Sequence, residues 1–448
     1  MKNALFTSET GQSYLDDEAD ESASDLILLH EKPDEWVTKL ISKAKIVSPS
    51  KHQRDLIDAL IDQSVENAQK RGFDDPGLFL AAAFDLLVAV EYYSKLTNTG
   101  WLYCPADAQL LIYHYTNTCP RCVLSNQFYF HHSGKPESGI IGGITRRLLC
   151  LFLACLFEKN GRDLKVYTAP EPVDILIYDE TENVVLLAEA KAAPLTILPL
   201  IHPTEPQTRS GSNGEIEPRP HEDTDNPGIM SSRLQLLLPQ LIGNSWTHEA
   251  LSLEARNDTD PSVWAYEQVK RLFAEDDQLF DRYFNFWEKA FSSYNKAERI
   301  KGEPLEAAYW LTNACGVPAR QLRPLEWPHR KSGKGYESVS DGKSSVGMDR
   351  TDDIKKAIYQ VLKIATEAKP RSHYKIKTAL LSNIHAVNHY GEFLSSLQDV
   401  VWATTNIQAV KKAKDLPGDQ DIYNLFDGII SFTRNHSRDE WVNRNFSF

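Results

Sequence analysis

In "EPVDILIYDETENVVLLAEAKAAP", Glu171 to Pro194, two apolar runs flank a polar turn, and each run carries charge. Asp174 lies in the first run; Glu189 and Lys191 lie in the second. A lone carboxylate or ammonium is costly to bury unless it is paired or bound to a metal. The two runs around "DETEN" read as a β-hairpin. Side chains alternate faces along a strand, so Glu189 and Lys191, two residues apart, project from one face. Pairing near the turn sets Asp174 on the neighbouring strand beside them. The alternative is a structural ion pair, or charges at solvated strand ends, although buried pairs are weak stabilisers.

Two carboxylates and an ammonium at one sheet edge suit a hard divalent cation. Mg²⁺ takes oxygen ligands, commonly one or two carboxylates, and keeps its other positions for water and substrate phosphate. Asp174 and Glu189 are the candidate ligands, and the Ala190 backbone carbonyl can add a third. Such an ion acidifies water and screens a phosphodiester. Lys191 then orients or deprotonates the water, or stabilises the transition state.

Outward from the hairpin, "LKVYTA" (164–169) reads as a strand. Before it, "KPESGIIGGITRRLLCLFLACLFEKNG" reads as a helix ending near Gly161. Far downstream, "TDDIKKAIYQVLKIATEAK" is an amphipathic helix on Ile354, Ile358, Val361, Leu362 and Ala365, and "YKIKTALLSNI" (374–384) a strand. The order is helix, three strands, helix, strand. The chain divides into an acidic tail (1–25), an N-terminal helical region (26–100), a Cys/His segment (101–135), the first part of an α/β core (136–200), a mostly helical insertion with flexible loops (201–345), and the second part of the core with the C-terminal region (346–448). Within the insertion, residues 203–229 read as loop. A helix then begins at Asp260 and Pro261, with Leu272, Phe273, Leu279, Phe280, Tyr283, Phe284, Trp287 and Phe291 as its apolar stripe.

This arrangement resembles the PD-(D/E)xK nuclease superfamily. Pro172-Val173-Asp174 stands for the first half-motif and Glu189-Ala190-Lys191 for the second; Pro172 lies two before Asp174 where adjacency is usual. The resemblance implies an αβββαβ restriction-endonuclease-like core, Asp174 and Glu189 as magnesium ligands, and Lys191 as the catalytic lysine. In the superfamily a glutamate on the first helix often joins the site, and Glu158 is the candidate here; a solvated helix-end residue is the other reading. "SDGKSSVGMDRTDDIKKAIYQVLK" (340–363) is similar to the loop and helix before the fourth core strand of type II restriction endonucleases. Gln360 and Lys356, one turn apart, are candidates to approach the metal or the DNA backbone. Lys331, Lys334 and Lys343 in the preceding loop are candidate phosphate contacts, with a solvated linker as the alternative.

Between residues 101 and 139 stand Cys104, Cys119-Pro-Arg-Cys122, His131 and His132. A CxxC knuckle with two further nitrogen or sulfur donors completes tetrahedral zinc. The expected set is Cys104, Cys119, Cys122 and His131, with His132 or His114 as substitutes. A thioredoxin-like redox pair is disfavoured by the absence of a βαβ context, and ordinary buried thiols remain the alternative. Cys150, Cys155 and Cys315 read as ordinary buried cysteines.

Composition is that of a globular protein, 42% apolar and 25% charged across 448 residues. The net charge of −13 argues against simple polyelectrolyte binding to nucleic acid, but it is uneven. Residues 1–25 alone carry Glu9, Asp16, Asp17, Glu18, Asp20, Glu21 and Asp25 against Lys2. The apolar run "LLCLFLACLF" (148–157) is too short to span a bilayer. With no charged start and apolar h-region, the reading places the chain in the cytoplasm.

Together these readings give an expected type II restriction endonuclease. It would cleave double-stranded DNA with Mg²⁺ at a specific, palindromic site, as a homodimer, since two-fold protein symmetry mirrors that of the site. A cognate DNA methyltransferase belongs to the same system without direct contact. Another nuclease of the superfamily, a resolvase or repair enzyme, and a non-catalytic zinc-containing DNA-binding protein stay open.

Overall fold

The hairpin forms where the apolar runs place it: Ile175–Asp179 pairs antiparallel with Val184–Ala190, Ile175 opposite Ala188 and Asp179 opposite Val184. Its turn is closed by Asp179, whose Oδ1 accepts the Glu182 N–H at 3.0 Å. Asn183 takes the left-handed conformation (φ 54°) that asparagine tolerates best after glycine. The computed structural model describes residues 33–448 apart from 105, 117, 128–135, 137, 205–207, 211–215, 219–222, 225–227, 300–306, 315–345, 350, 371, 388 and 404–420. The acidic tail and Lys331, Lys334 and Lys343 lie outside the described residues.

Around the hairpin is a seven-stranded mixed sheet in the order Lys45–Ile46, Lys165–Thr168, Ile175–Asp179, Val184–Ala190, Lys375–Ser382, Gly428–Ser431, His436–Ser437. Lys375–Ser382 lies parallel to both its neighbours; the other pairings are antiparallel. A parallel neighbour requires a crossover, and the helix Thr351–Ala368, packed on Val184–Ala190 and Lys375–Ser382, supplies its last element.

Burial alternates along the hairpin as strand geometry requires. Ile175, Ile177, Leu186 and Ala188 join the core under the helix Ser138–Lys159. Leu176, Val185 and Leu187 instead pack with Ile364 and Ala368 of Thr351–Ala368. The chain is therefore mixed α/β, with a helix on each face of the sheet. Gly139–Lys159 is long and apolar enough to cross a membrane by length and composition; here most of it is buried against the sheet and its neighbours.

A second sheet of six antiparallel strands runs Asp223–Thr224, Trp101–Cys104, Asp107–Tyr113, Leu200–Pro203, Gln235–Ile242, Ser245–Ser252. Most of it lies in the expected insertion, which is thus not purely helix and loop. Its strand Gln235–Ile242 is half-covered by a helix, so the solvent-side alternation is blurred by the buried run Leu236–Leu238. Residues 203–229, read as loop, contribute the short strands Thr208–Ser210, Ile216–Pro218 and Asp223–Thr224. The expected single helix after Asp260 is two, Pro261–Glu275 and Leu279–Arg299. Asp276 breaks it: its backbone is extended and its carboxylate accepts from Gln278 N–H and Arg282. The apolar stripe continues across the break, which hid it from a search for periodicity.

The N-terminal region is helical as expected, with Pro33–Lys43, Lys51–Lys70 and Gly77–Tyr93. Gly77–Tyr93 is buried nearly all round, packed by Lys51–Lys70, Ser138–Lys159, Pro261–Glu275 and Leu279–Arg299.

Candidate functional site

The paired register ends with Ile175 opposite Ala188, and Asp174, the residue before it, stays on the same partner strand. The Asp174 N–H donates to the Ala188 carbonyl (3.1 Å), and Asp174 Oδ2 accepts the Ala190 N–H (3.1 Å). The Asp174 and Glu189 carboxyl groups come within hydrogen-bonding reach of each other there. Lys191, two residues beyond Glu189, brings its ammonium between them: Nζ lies 3.7 Å from Asp174 Oδ2, donates to Glu189 Oε1, and donates to the Ala190 carbonyl at 3.3 Å. Three hard oxygens from three residues thus converge on one cationic point.

Glu189 is buried, and its carboxyl is pushed up to about 7, by burial first and by the negative charge of Asp174 second, against the pull of Lys191. The pair of acids therefore favours additional positive charge. Part of it comes from Arg146 of the helix Ser138–Lys159, whose NH1 lies 2.7 Å from Asp174 Oδ1.

Asp174, Lys191 and Arg146 open onto a cavity of about 380 Å³, with Glu189 buried behind its lining. Asp174, Ala190, Lys191 and Arg146 form one side; Gly139, Gly142 and Gly143 form the helix side; Asn313, Gly347 and Asp353 lie across it. The extended segment past Lys191 is tightly fixed. The Lys191 N–H donates to the Leu381 carbonyl (2.9 Å), Thr145 Oγ1 donates to the Ala192 carbonyl (2.7 Å), and Ala193 exchanges hydrogen bonds with the Asn383 side chain. Gly347 donates to the Ala193 carbonyl (3.1 Å); at φ 51°, with the Ile384 carbonyl 2.3 Å from where a Cβ would stand, no other residue fits there.

Behind this segment sits a group that sequence reading missed. Asp85, fully buried in Gly77–Tyr93, accepts from the N–H groups of Leu195 (2.8 Å) and Thr196 (3.1 Å), Trp287 Nε1 (2.8 Å) and Asn383 Nδ2 (3.1 Å). It ties a helix, the segment leaving the site, the residue after Lys375–Ser382 and the helix Leu279–Arg299 to one carboxylate. A lone acid in the otherwise apolar run "LFLAAAFDLLVAV" was the available signal.

The other expected residues fall elsewhere. Glu158 is not brought to the cluster: it is paired with Arg54 at 2.6 Å, twelve residues along its helix from Arg146, or about 18 Å at the usual rise. Lys356 is exposed and Gln360 partly buried on Thr351–Ala368; they share a helical stripe with Asp353 but lie progressively further from the cavity and do not line it. Of the acids around that helix's start, Asp352 and Asp353 occupy its first turn. Asp349 is instead buried, accepting the Val387 (2.7 Å) and His389 (3.1 Å) N–H groups and the Tyr294 hydroxyl.

The cysteine segment forms a second cluster. Cys104 ends the strand Trp101–Cys104, while Cys119 and Cys122 start and occupy the short helix Pro120–Leu124. All three are buried, with Sγ–Sγ separations of 3.5 Å for Cys104–Cys122 and 4.0 Å for Cys104–Cys119. Thiolates around one tetrahedral zinc stand about 3.8 Å apart at the usual bond length, so this group can hold a metal such as zinc. The thiols of Cys119 and Cys122 bonded to Cys104 pull its thiol well below the usual range, while burial pushes the Cys119 thiol up and the bond to Cys104 pushes the Cys122 thiol up. Among the described residues the group comprises these three; His114 is buried but not part of it, and His131 and His132 lie outside the described residues. Cys150 and Cys155 are buried as expected, and Cys315 lies outside the described residues.

No family model, no curated protein and no solved structure matches this chain.

Proposed function

We propose that the chain is a Mg²⁺-dependent deoxyribonuclease of the PD-(D/E)xK type, a type II restriction endonuclease that hydrolyses both strands of double-stranded DNA at a specific, palindromic site. The observation that carries the reading is the convergence of Asp174 Oδ2, Glu189 Oε1 and the Ala190 carbonyl on the Lys191 ammonium, beside an open cavity. All three donors are hard oxygens, the ligand type Mg²⁺ prefers, and two are carboxylates. The helix, three-strand, helix, strand order with its parallel fourth strand also supports that core.

Asp174, Glu189 and the Ala190 carbonyl would hold Mg²⁺, which would supply Lewis acidity toward water and screening of the phosphate charge. Lys191 Nζ then turns from the carboxylates to the attacking water, holding it in line by a hydrogen bond and facing the charge that develops on the phosphate oxygens. The water oxygen bonds to phosphorus as the ester P–O bond breaks; one water proton leaves and the departing oxygen takes up one. The Cys104, Cys119 and Cys122 cluster, completed by His131, holds a structural zinc. A symmetric dimer on a palindromic site gives double-strand cleavage, and a methyltransferase of the same specificity is the expected companion.

Plasmid DNA with Mg²⁺ tests the assignment. The parental protein gives defined fragments, whereas Asp174→Ala and Lys191→Ala fall by at least about a hundredfold. Substituted proteins cutting at the parental rate would remove the site. DNA shifted in a gel without divalent ion, and never nicked at any Mg²⁺ or Mn²⁺ concentration, would favour a binding protein.

A further inference from the structure

Resting on that nuclease reading, we infer that Arg146 is a phosphate-holding residue of the site, parked on Asp174 until a divalent cation takes that carboxylate. The successive arginines of Ser138–Lys159 part ways. Arg147, as exposed as Arg146, turns away from the cavity to buried Glu91 at 2.8 Å. Arg146 turns to the cavity, and Asp174 is its one ion-pair partner among the described residues. The Arg146 side chain is 40% exposed, so water screens the pair and a divalent ion can compete for Asp174.

Charge balance links the release of Arg146 to substrate. When both are ionised, as metal ligation requires, Asp174 and Glu189 carry two negatives, the number that Arg146 and Lys191 balance. A divalent ion held by the same acids leaves both cations in excess. A phosphodiester brings one negative charge and an attacking hydroxide another, which restores the balance only when substrate is present. Guanidinium suits this task because its planar fork matches phosphate oxygens.

The surroundings give the phosphate room. Gly139, Gly142 and Gly143 lie seven, four and three residues before Arg146, on the same side of the helix. A Cβ added at any of them would meet nothing within 4 Å. A sugar-phosphate backbone can therefore come against the helix beside the guanidinium.

Two readouts on the full chain separate this role from a structural one: Mn²⁺ binding without DNA, by titration calorimetry, and plasmid cleavage with Mg²⁺. Arg146→Ala is expected to bind Mn²⁺ at least as tightly as the parent, its competitor having gone, while cleavage falls about a hundredfold; Arg146→Lys recovers part of it. Should Arg146→Ala melt early, Arg146→Gln carries the same comparison. Parental cleavage by these variants while Lys191→Ala is inactive overturns the inference and leaves the nuclease reading standing. Joint loss of Mn²⁺ binding and cleavage also overturns it, since Arg146 would then only position Asp174. A parental protein that never cuts DNA with Mg²⁺ or Mn²⁺ removes the nuclease reading, and this inference with it.

Discussion

Asp85 holds its ground against burial by taking four donors, yet burial still pushes its carboxyl up to about 7. Removing it leaves those donors buried without partners, each costing roughly 1–3 kcal/mol before relaxation. Asp85→Ala should therefore lose at least about 3 kcal/mol of stability in urea titration. The pH dependence has a definite sign. A carboxyl whose folded pKa is raised keeps its proton longer in the folded state, so its contribution is full below about 4 and declines as pH rises towards 7. Asp85→Asn, which cannot ionise, should flatten the stability profile over that window; an unchanged slope would show that Asp85 does not titrate there. Charged residues in strands were readable because desolvation singles them out. Arg146 and Asp85 were not, because a helix carries an isolated charge in any direction and only its neighbours, from distant parts of the chain, decide which.

At the level of elements, the hairpin was legible because its period of two, its "DETEN" turn and its charges all agree. Boundaries of Lys165–Thr168, Thr351–Ala368 and Lys375–Ser382 followed for similar reasons. The six-stranded sheet was not, since its strands come from segments far apart in sequence and Ser245–Ser252 is only half-buried. The thiol cluster shows the same contrast. The CxxC spacing pointed to Cys119 and Cys122, while Cys104 joins them from the end of a strand paired with Asp107–Tyr113. As a staple between that hairpin and Pro120–Leu124, a bound zinc should contribute to folding. Purified protein is expected to carry one zinc per chain by elemental analysis. Cys119→Ser should lose it and melt lower by at least about 5 °C; metal-free protein of unaltered midpoint would reduce the cluster to packed thiols.

On the scale of the whole molecule, the cavity is assembled from four places: the hairpin end, the start of Ser138–Lys159, Asn313 of the insertion, and the Gly347–Asp353 approach to the last core helix. Two buried anchors keep these together, Asp85 behind the segment at Leu195 and Thr196, and Asp349 beneath the N–H groups of Val387 and His389. The order of core elements could be read along the chain, but this assembly depends on contacts across one to three hundred residues, which no local pattern records. The claim beneath it all is that Asp174, Glu189 and the Ala190 carbonyl form one cation site. Crystals soaked in Mn²⁺ and measured at the manganese absorption edge test it most directly. An anomalous peak within coordination distance of those three oxygens, about 2.1 Å, with Lys191 displaced, is the expected result. A saturated crystal with no peak there, and Lys191 still resting on Glu189, would contradict it.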